Sequence, residues 1–282
     1  MSIVVNTNVS SILVQRSLGH ATKSIETSLQ KLSTGYRINK AADDAAGLTI
    51  SESLKSQARG AQVAANNAQT GVNLLQTAEG DLSIIQDNLQ RIRDLAVQAA
   101  NGTNGTAERA AIQSEVQQRV NEINRIADAS SFNAIKLLDG TSSSLSLQIG
   151  TKSVASLNSI SITSGTINPL GNADASALGL GNITNAFASG TAAASFISSV
   201  DTAISSVSER RSTIGSIQNR LESAIASLNI QFENMSASES RIRDVDVAKE
   251  AAALTKSQIL QQASATLLAQ ANQSPSIALS LI

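Results

Sequence analysis

Apolar residues recur most regularly between Leu54 and Ala99. Their spacing alternates between four and three residues, with one additional three-residue step from Leu75 to Ala78. This alternation places the apolar side chains along one stripe of a helix, the seam of a coiled coil, and the additional step is a local stammer. We therefore predict one long helix, which begins at the acidic pair of residues 43 and 44 and ends at the Asn-Gly pairs after residue 100.

A second seam lies near the other end of the chain. Apolar residues recur there every seven positions from Val200 to Met235, with Arg211 and Gln218 as polar interruptions. A shorter helix predicted from Thr106 to about residue 128 can complete a three-helix rod with these two long helices. The seam residues on which we expect this rod to depend are Leu82, Ile85, Leu89, Ile92, Val207, Ile214, Leu221 and Leu228.

The segment from about residue 140 to 191 has a different character, because it is rich in Ser, Thr, Gly and Asn. Leu145, Leu147 and Ile149 alternate with polar residues, and Ile160 and Ile162 form a second alternating run. This pattern predicts a small sheet or hairpin. The predicted fold class is mainly α: an elongated coiled-coil rod built from paired N- and C-terminal segments, with a small β and turn element in the middle.

The predicted long helix constrains the shape of the molecule. At 1.5 Å per residue it would be roughly 85 Å long, whereas a compact globule of this chain length would be only about 50 Å across. The molecule is therefore predicted to be a rod. The apolar faces predicted on the helices at the two chain ends need a partner, which is either the helix at the other chain end or a neighbouring subunit. We therefore expect the chain to associate with copies of itself, and we expect its ends to become ordered when they do so.

Composition excludes several classes of function. Cys is absent, His occurs once and aromatic residues make up 2% of the chain, so thiolate metal sites, His clusters and catalytic triads are not expected. The formal charge of −1 provides no basic excess for nucleic acid. No 18-residue apolar run is present to cross a membrane. We expect neither an enzyme nor a protein that binds a metal or cofactor.

The first charged side chain of the sequence is Arg16, so the basic start of a secretory signal peptide is not present. We therefore expect any export to use another route, without cleavage of a signal peptide. Two tandem triplets, Asn-Gly-Thr at residues 101–103 and again at 104–106, fit the acceptor pattern for N-glycosylation. We interpret them as a turn between two helices.

Several segments resemble bacterial flagellins. The run Ser-Thr-Gly-Tyr-Arg-Ile-Asn at residues 33–39, followed by Ala-Ala-Asp-Asp-Ala-Ala-Gly-Leu at 41–48, is similar to the segment after the first flagellin helix. The resemblance continues at residues 89–96, 131–133, 137–140, 240–246, 272–275 and 279–281. It covers nearly the whole chain outside the Ser- and Thr-rich middle.

The resemblance implies a structural subunit that polymerises with itself into the extracellular flagellar filament used for motility. It also implies export by the flagellar type III apparatus, an export chaperone and a filament cap. In this interpretation the chain has five segments: an inner-core helix (1–42), the N-terminal part of the rod (43–139), an outward β and turn segment (140–191), the C-terminal part of the rod (192–242) and a second inner-core helix (243–282).

Arg91, Leu95 and Glu115 match positions that contribute to receptor contact in flagellins detected by the animal Toll-like receptor. Arg91 and Leu95 are four residues apart and share one helix face. The alternative interpretation is that all three residues serve packing between neighbouring rods in the filament.

Two other functions remain alternatives at this point. A hook-filament junction protein of the same superfamily has similar terminal helices, but the intact Ala-Ala-Asp-Asp and Ser-Phe-Asn runs favour the filament subunit. A chemoreceptor-like signalling coiled coil shares Ala- and Gln-rich heptads. A signalling coiled coil of this kind would be an uninterrupted helical hairpin. The β-like middle segment, which contains Pro169, argues against that structure.

Overall fold

The computed structural model describes residues 7–141, 145–152, 158–162, 168–181 and 183–279, with the side chains of 274–279 excepted. The mainly α fold class predicted from the sequence is confirmed. The helices are α1 (Val9–Thr34), α2 (Ala45–Ala100), α3 (Thr106–Ala129), α4 (Ile183–Ala186), α5 (Gly190–Arg243) and α6 (Val247–Leu279). The strands are β1 (Ser131–Phe132), β2 (Ile135–Lys136), β3 (Ser146–Gln148) and β4 (Ser159–Ser161).

The chain divides into two compact units. The first, the terminal unit, comprises residues 1–57 and 233–282, and the second, the central unit, comprises residues 58–232. Residues 1–6 and 280–282 of the predicted inner-core helices lie outside the described residues, as do residues 142–144, 153–157, 163–167 and 182 of the predicted outward segment.

In the central unit, α2 runs antiparallel to α5. The Arg93 guanidinium lies 2.6 Å from the Asp201 carboxylate, and Arg211 donates a hydrogen bond to the Gln86 side chain at 2.6 Å. Later positions on α2 therefore meet earlier positions on α5. The two predicted seams thus face each other along one interface, although more than a hundred residues separate their paired positions in sequence.

Helix α3 packs antiparallel on the same part of α2 and completes a three-helix bundle. Ser130, which caps the end of α3, donates to the Asp81 carboxylate at 2.5 Å, and Arg119 donates to Asn88 at 3.5 Å. Buried apolar side chains of α2 from Ala68 onward, of α3, and of α5 up to Leu221 belong to one continuous core, and a smaller cluster packs Leu228 of α5 against alanines 61, 64 and 65 of α2. The three-helix arrangement expected from the periodicity is present in this unit.

All eight residues of the predicted seam are buried. Seven of them are 0% exposed and Leu228 is 5% exposed. Leu75 and Ala78, on either side of the extra three-residue step, are also fully buried. The stammer therefore leaves the apolar stripe of α2 unbroken, because the helix needs only a small local change in winding to keep its stripe facing the core.

The start of α2 agrees with the sequence prediction. The Asp44 carboxylate accepts a hydrogen bond from the backbone N–H of Gly47 at 2.8 Å, three residues ahead, which is the geometry of a helix N-cap. The helix ends at Ala100, where the Asn-Gly pairs begin. Local chemistry at each end therefore defines a 56-residue helix.

Strands β1 and β2 form a tight hairpin directly after α3. Phe132 pairs with Ile135, and the two residues between them, Asn133 and Ala134, have φ angles of 48° and 64°. Both are in the left-handed region, as a type I′ turn requires. Ala at such a position costs about 1–2 kcal/mol relative to ordinary backbone. The hairpin directs the chain back to the core, where the next two leucines, 137 and 138, are fully buried.

The predicted β element of the middle segment is confirmed as the antiparallel pair of β3 and β4. Leu147 is the register partner of Ile160, and the Ile162 N–H donates to the Leu145 carbonyl at 2.8 Å. Leu147 lies over Gly71 of α2, where a Cβ would come within 2.1 Å of the leucine side chain. A glycine at this position of α2 therefore lets the hairpin approach the helix closely.

Substitution in the seam tests whether it stabilises the central unit. We expect Leu89→Ala to lower the free energy of unfolding by about 2–5 kcal/mol, because a fully buried leucine leaves a cavity when truncated. Ile84→Ala, on the same helix but at a position 50% exposed, is the matched control and should cost less than about 1 kcal/mol. Denaturant unfolding followed by circular dichroism measures both values. Equal losses would contradict the assignment of the seam.

Candidate assembly surface

The candidate surface lies in the terminal unit and is formed by α1 and α6, which we call the terminal pair. The two helices are antiparallel. Near one end the Asn8 side chain donates to the Ala271 carbonyl at 2.8 Å, and near the other Ser28 donates to the Glu250 carboxylate at 2.6 Å. Polar contacts therefore set the register between helices that come from opposite ends of the chain.

The terminal pair has little buried interior. Ala21 and Ser28 are the only buried residues in α1, and none of the side chains of residues 247–273, the part of α6 whose side chains are described, is buried. Burial of apolar area is the main favourable term in folding, at roughly 25 cal/mol per Å². Two packed helices that bury so few side chains gain little free energy from the burial of apolar area.

Large apolar side chains of the terminal pair face solvent instead. Each of them is between 49% and 62% exposed. On α1 they are Val9, Ile12, Leu13 and Leu29, and on α6 they are Val247, Ile259, Leu260 and Leu267. Leu260 and Leu267 are seven residues apart and therefore share one face of α6. This apolar surface is available for contact with another protein surface.

A groove of about 690 Å³ runs between the two helices of the terminal pair. Its lining includes Lys23, Lys31 and Lys256, together with His20 and one carboxylate, Glu250. Lys31 lies 3.8 Å from Glu250, so that the carboxylate is already engaged by one of the lysines. The groove therefore has basic character and suits an acidic side chain better than a basic one.

A cluster of three side chains, which we call the junction cluster, lies where four helix ends of the terminal unit meet. The guanidinium of Arg243, at the end of α5, stacks 4.5 Å from the ring centroid of Tyr36. The same guanidinium lies 2.6 Å from the carboxylate of Glu52 on α2. One arginine thus contacts both the connection that leaves α1 and the first part of α2.

Backbone hydrogen bonds support the junction cluster. The Arg37 N–H donates to the Arg243 carbonyl at 2.6 Å, and the Val245 N–H donates to the Gly35 carbonyl at 2.9 Å. These bonds form a short antiparallel bridge between the α1–α2 connection and the α5–α6 connection. Gly35 has φ of +76°, the left-handed conformation that ends α1 and turns the chain into the bridge.

Asp43 stabilises the turn that leads into α2. Its carboxylate accepts hydrogen bonds from the backbone N–H groups of Lys40 and Asn39 at 2.9 and 3.0 Å, and these bonds lower the pKa of Asp43 below its usual value. A lowered pKa means that the contribution to stability is present above the ordinary carboxyl pKa and is lost as the pH falls through the lowered value. Asp43 itself is exposed, so solvent screens this contribution to stability.

The contact within the junction cluster joins two distant parts of the sequence. Tyr36 and Arg243 each lie in a run that resembles flagellins, yet 207 positions separate them in the chain. No local pattern connects a tyrosine after one helix with an arginine at the end of another. Only the antiparallel return of the chain brings them together.

The three candidate receptor or packing residues lie in the central unit. Arg91 and Glu115 form an ion pair with each other at 2.8 Å, and their side chains are 49% and 40% exposed. Leu95, one turn further along α2, is 2% exposed and belongs to the core. The structure therefore brings Arg91 and Glu115 together on the surface, while the Leu95 side chain faces the bundle interior.

Two other kinds of site are absent from the described part of the chain. No group of three or more His, Asp or Glu side chains there is arranged to hold a metal ion. Among the helices in that same part of the chain, none combines the length and the apolar character needed to span a membrane.

Two family models match this chain. The model of the bacterial flagellin N-terminal helical region matches residues 5–143, and the model of the bacterial flagellin C-terminal helical region matches residues 197–282. Together they cover most of the chain, including the described terminal pair, α2, α3 and α5 from residue 197 onward.

Known proteins similar over their full length include two flagellins. One from Halalkalibacterium halodurans is 43% identical over 280 residues, which is 99% of this chain and 100% of that protein. Flagellin FlaB2 from Treponema pallidum is 40% identical over 290 residues, again with 99% and 100% covered. The crystal structure of Bacillus cereus flagellin is 31% identical, covers 62% of this chain and 94% of that chain, and has a TM-score of 0.48.

The junction cluster can be tested through its tyrosine, because Tyr36 is the single Tyr in a chain without Trp. We expect Arg243→Gln to destabilise the terminal unit by about 1–2 kcal/mol, since it removes a cation–π contact and a partly exposed ion pair. Tyrosine fluorescence during denaturant unfolding measures this loss. Arg241→Gln, two residues away and exposed, is the control and should leave the midpoint unchanged. Identical midpoints for both variants would argue against the cluster.

Proposed function

Because this chain belongs to the bacterial flagellin family and is a structural subunit of the flagellar filament, we propose that its copies join through the terminal pair. Members of this family form the extracellular flagellar filament. A hook-filament junction protein and a chemoreceptor-like coiled coil are not favoured, since the full-length relatives named above are flagellins. The proposed role is structural, with no catalytic step.

One observation carries the proposal: the terminal pair exposes large apolar side chains and buries almost none. Fixing the backbone costs about 1–2 kcal/mol of conformational entropy per residue, and α1 has only two buried residues to help offset it. Contact with neighbouring copies would bury the exposed leucines and isoleucines. The free energy of burying this apolar surface would then offset the conformational entropy that the helices lose. We infer that the terminal helices reach their full stability only on polymerisation.

The proposal also assigns roles along the chain. Residues 1–42 and 243–282 would form the inner core, 43–139 and 192–242 the rod, and 140–191 the outward segment. A mainly helical chain whose ends gain stability only on assembly suits export through a narrow channel. We accordingly propose passage through the flagellar type III apparatus without cleavage of a signal peptide, binding by an export chaperone beforehand, and insertion under a filament cap.

The receptor hypothesis takes a more specific form from the geometry. Arg91 and Glu115 expose their charged groups on neighbouring helices and could contact a Toll-like receptor directly. The buried Leu95 would act by holding α2 in the core beneath them. Packing between neighbouring rods is the alternative use of the same surface, and it predicts an effect on filaments rather than on signalling.

Assembly through the terminal pair is tested by changing the polarity of one face of α6. Leu260→Gln combined with Leu267→Gln removes apolar surface but keeps good helix-forming residues. At about 1 kcal/mol for each of the two side chains, we expect the critical concentration for filament formation to rise by about thirtyfold. Sedimentation and electron microscopy of the polymerised protein measure this concentration.

The matched control for that experiment places Met at the same two positions, because Met keeps the apolar surface and the helix propensity. The Met variant should polymerise like the parent chain. If the Gln variant polymerised at the parent concentration, the terminal pair would not be the assembly surface.

The receptor hypothesis has its own test in the monomer. We expect Arg91→Ala to weaken Toll-like receptor signalling by about tenfold, the effect of losing one important interface side chain. Arg125→Ala is the control, since Arg125 forms a comparable exposed ion pair with Glu122 on α3. A normal signal combined with defective filaments would assign Arg91 to packing between rods instead.

A further inference from the structure

The connection between α2 and α3 contains two copies of the same tripeptide. Asn-Gly-Thr occurs at residues 101–103 and again at 104–106. Identical local sequences normally have similar intrinsic chemistry, so any difference between them must come from the fold. The two asparagines, Asn101 and Asn104, have different surroundings in the structure.

Asparagine followed by glycine is chemically labile in a defined way. The backbone nitrogen of the glycine attacks the side-chain carbonyl carbon of the asparagine, a C–N bond forms, and the side-chain amide nitrogen leaves as ammonia. Water then opens the resulting cyclic imide to give aspartate or isoaspartate. Glycine favours the attack because it has no Cβ to restrict the approach of its nitrogen. Only water is consumed, and no oxidant or cofactor is needed.

Asn101 meets the requirements for this reaction. The residue is exposed, as are Gly102 and Thr103 after it. Its side-chain oxygen accepts a hydrogen bond from the Thr103 N–H at 3.2 Å. A donor at this oxygen stabilises the negative charge that develops there during attack on the carbonyl carbon. The side-chain nitrogen of Asn101 has no acceptor among the described residues, so that water can protonate it as it leaves.

Asn104 is held differently. Its side-chain nitrogen donates to the Gln98 carbonyl at 2.5 Å, and its backbone carbonyl accepts a hydrogen bond from the Arg109 guanidinium at 2.5 Å. The residue is half-buried. The glycine that follows it caps α3, and its carbonyl accepts from the Arg109 N–H at 3.1 Å. The side chain must break its hydrogen bond before it can turn toward that glycine.

We propose that Asn101 is a site of spontaneous deamidation and isomerisation, and that the fold protects Asn104 from the same reaction. The product places a carboxylate just after the last turn of α2, where the helix dipole is negative and where no basic residue compensates. One conversion changes the formal charge of the chain from −1 to −2. Isoaspartate also lengthens the backbone and removes the turn that the Asn101 side chain closes.

The test uses the full-length protein incubated in mildly alkaline buffer, with samples taken over time. Both asparagines lie in one tryptic peptide, residues 94–109, so fragmentation in the mass spectrometer must assign the position. We expect Asn101 to convert about tenfold faster than Asn104 in the folded chain, the factor given by one hydrogen bond that must break first. In denaturant the two rates should become similar, because the tripeptides are identical.

Gly102→Ala is the matched variant. Gly102 has open space where a Cβ would be added and no left-handed backbone, so alanine fits the folded chain. This variant should stop most conversion at Asn101 and leave Asn104 unaffected. The proposal is overturned if Asn101 stays intact, if both asparagines convert at the same rate in the folded protein, or if the difference between them persists in denaturant.

Discussion

The structure depends on the burial of one apolar stripe along α2. A 56-residue helix cannot hold itself in water by backbone hydrogen bonds alone, because most helix stability in proteins comes from packing of an apolar face. In the central unit that face is covered by α3 on one side and α5 on the other, both antiparallel to α2. Since α5 comes from the far half of the chain, the core of this unit forms only when distant parts of the sequence meet. The β3–β4 hairpin and the turns are positioned by this bundle.

The terminal unit is built on a different balance. Its two long terminal helices meet through polar side chains such as those of Asn8 and Ser28, and eight large apolar side chains in the described part of the pair are 49–62% exposed. A compact junction cluster around Arg243 ties the connections together at one end of the pair. The central unit therefore has a continuous core of its own, whereas we propose that contact with another copy buries the exposed side chains of the terminal pair. This contrast fits a filament subunit, which needs one stably folded unit and terminal helices that can bind neighbouring copies.

Much of the fold could be predicted because local sequence patterns determine most of its helices and strands. The period of the apolar residues identified α2, α3 and α5, Asp44 marked the start of α2, and alternation identified β3 and β4. The interpretation of residues 91, 95 and 115 shows the limit of this reasoning. Helix spacing puts Arg91 and Leu95 on one face, but the spacing does not say which part of that face the neighbouring helix covers. In the folded chain Arg91 stays on the surface, paired with Glu115 of α3, whereas Leu95 is buried in the core.

The sequence by itself determined the five long helices, both ends of α2, the absence of Cys and the family resemblance, because each of these depends on residue types and short-range spacing. Only the tertiary structure decided the partnership of Tyr36 with Arg243, the pairing of Arg91 with Glu115 and the unequal surroundings of Asn101 and Asn104. The physical reason is the same in all three cases. A side chain's solvent exposure and hydrogen-bond partners depend on which distant or neighbouring segment the folded chain places against it, and two identical tripeptides therefore acquire different chemistry.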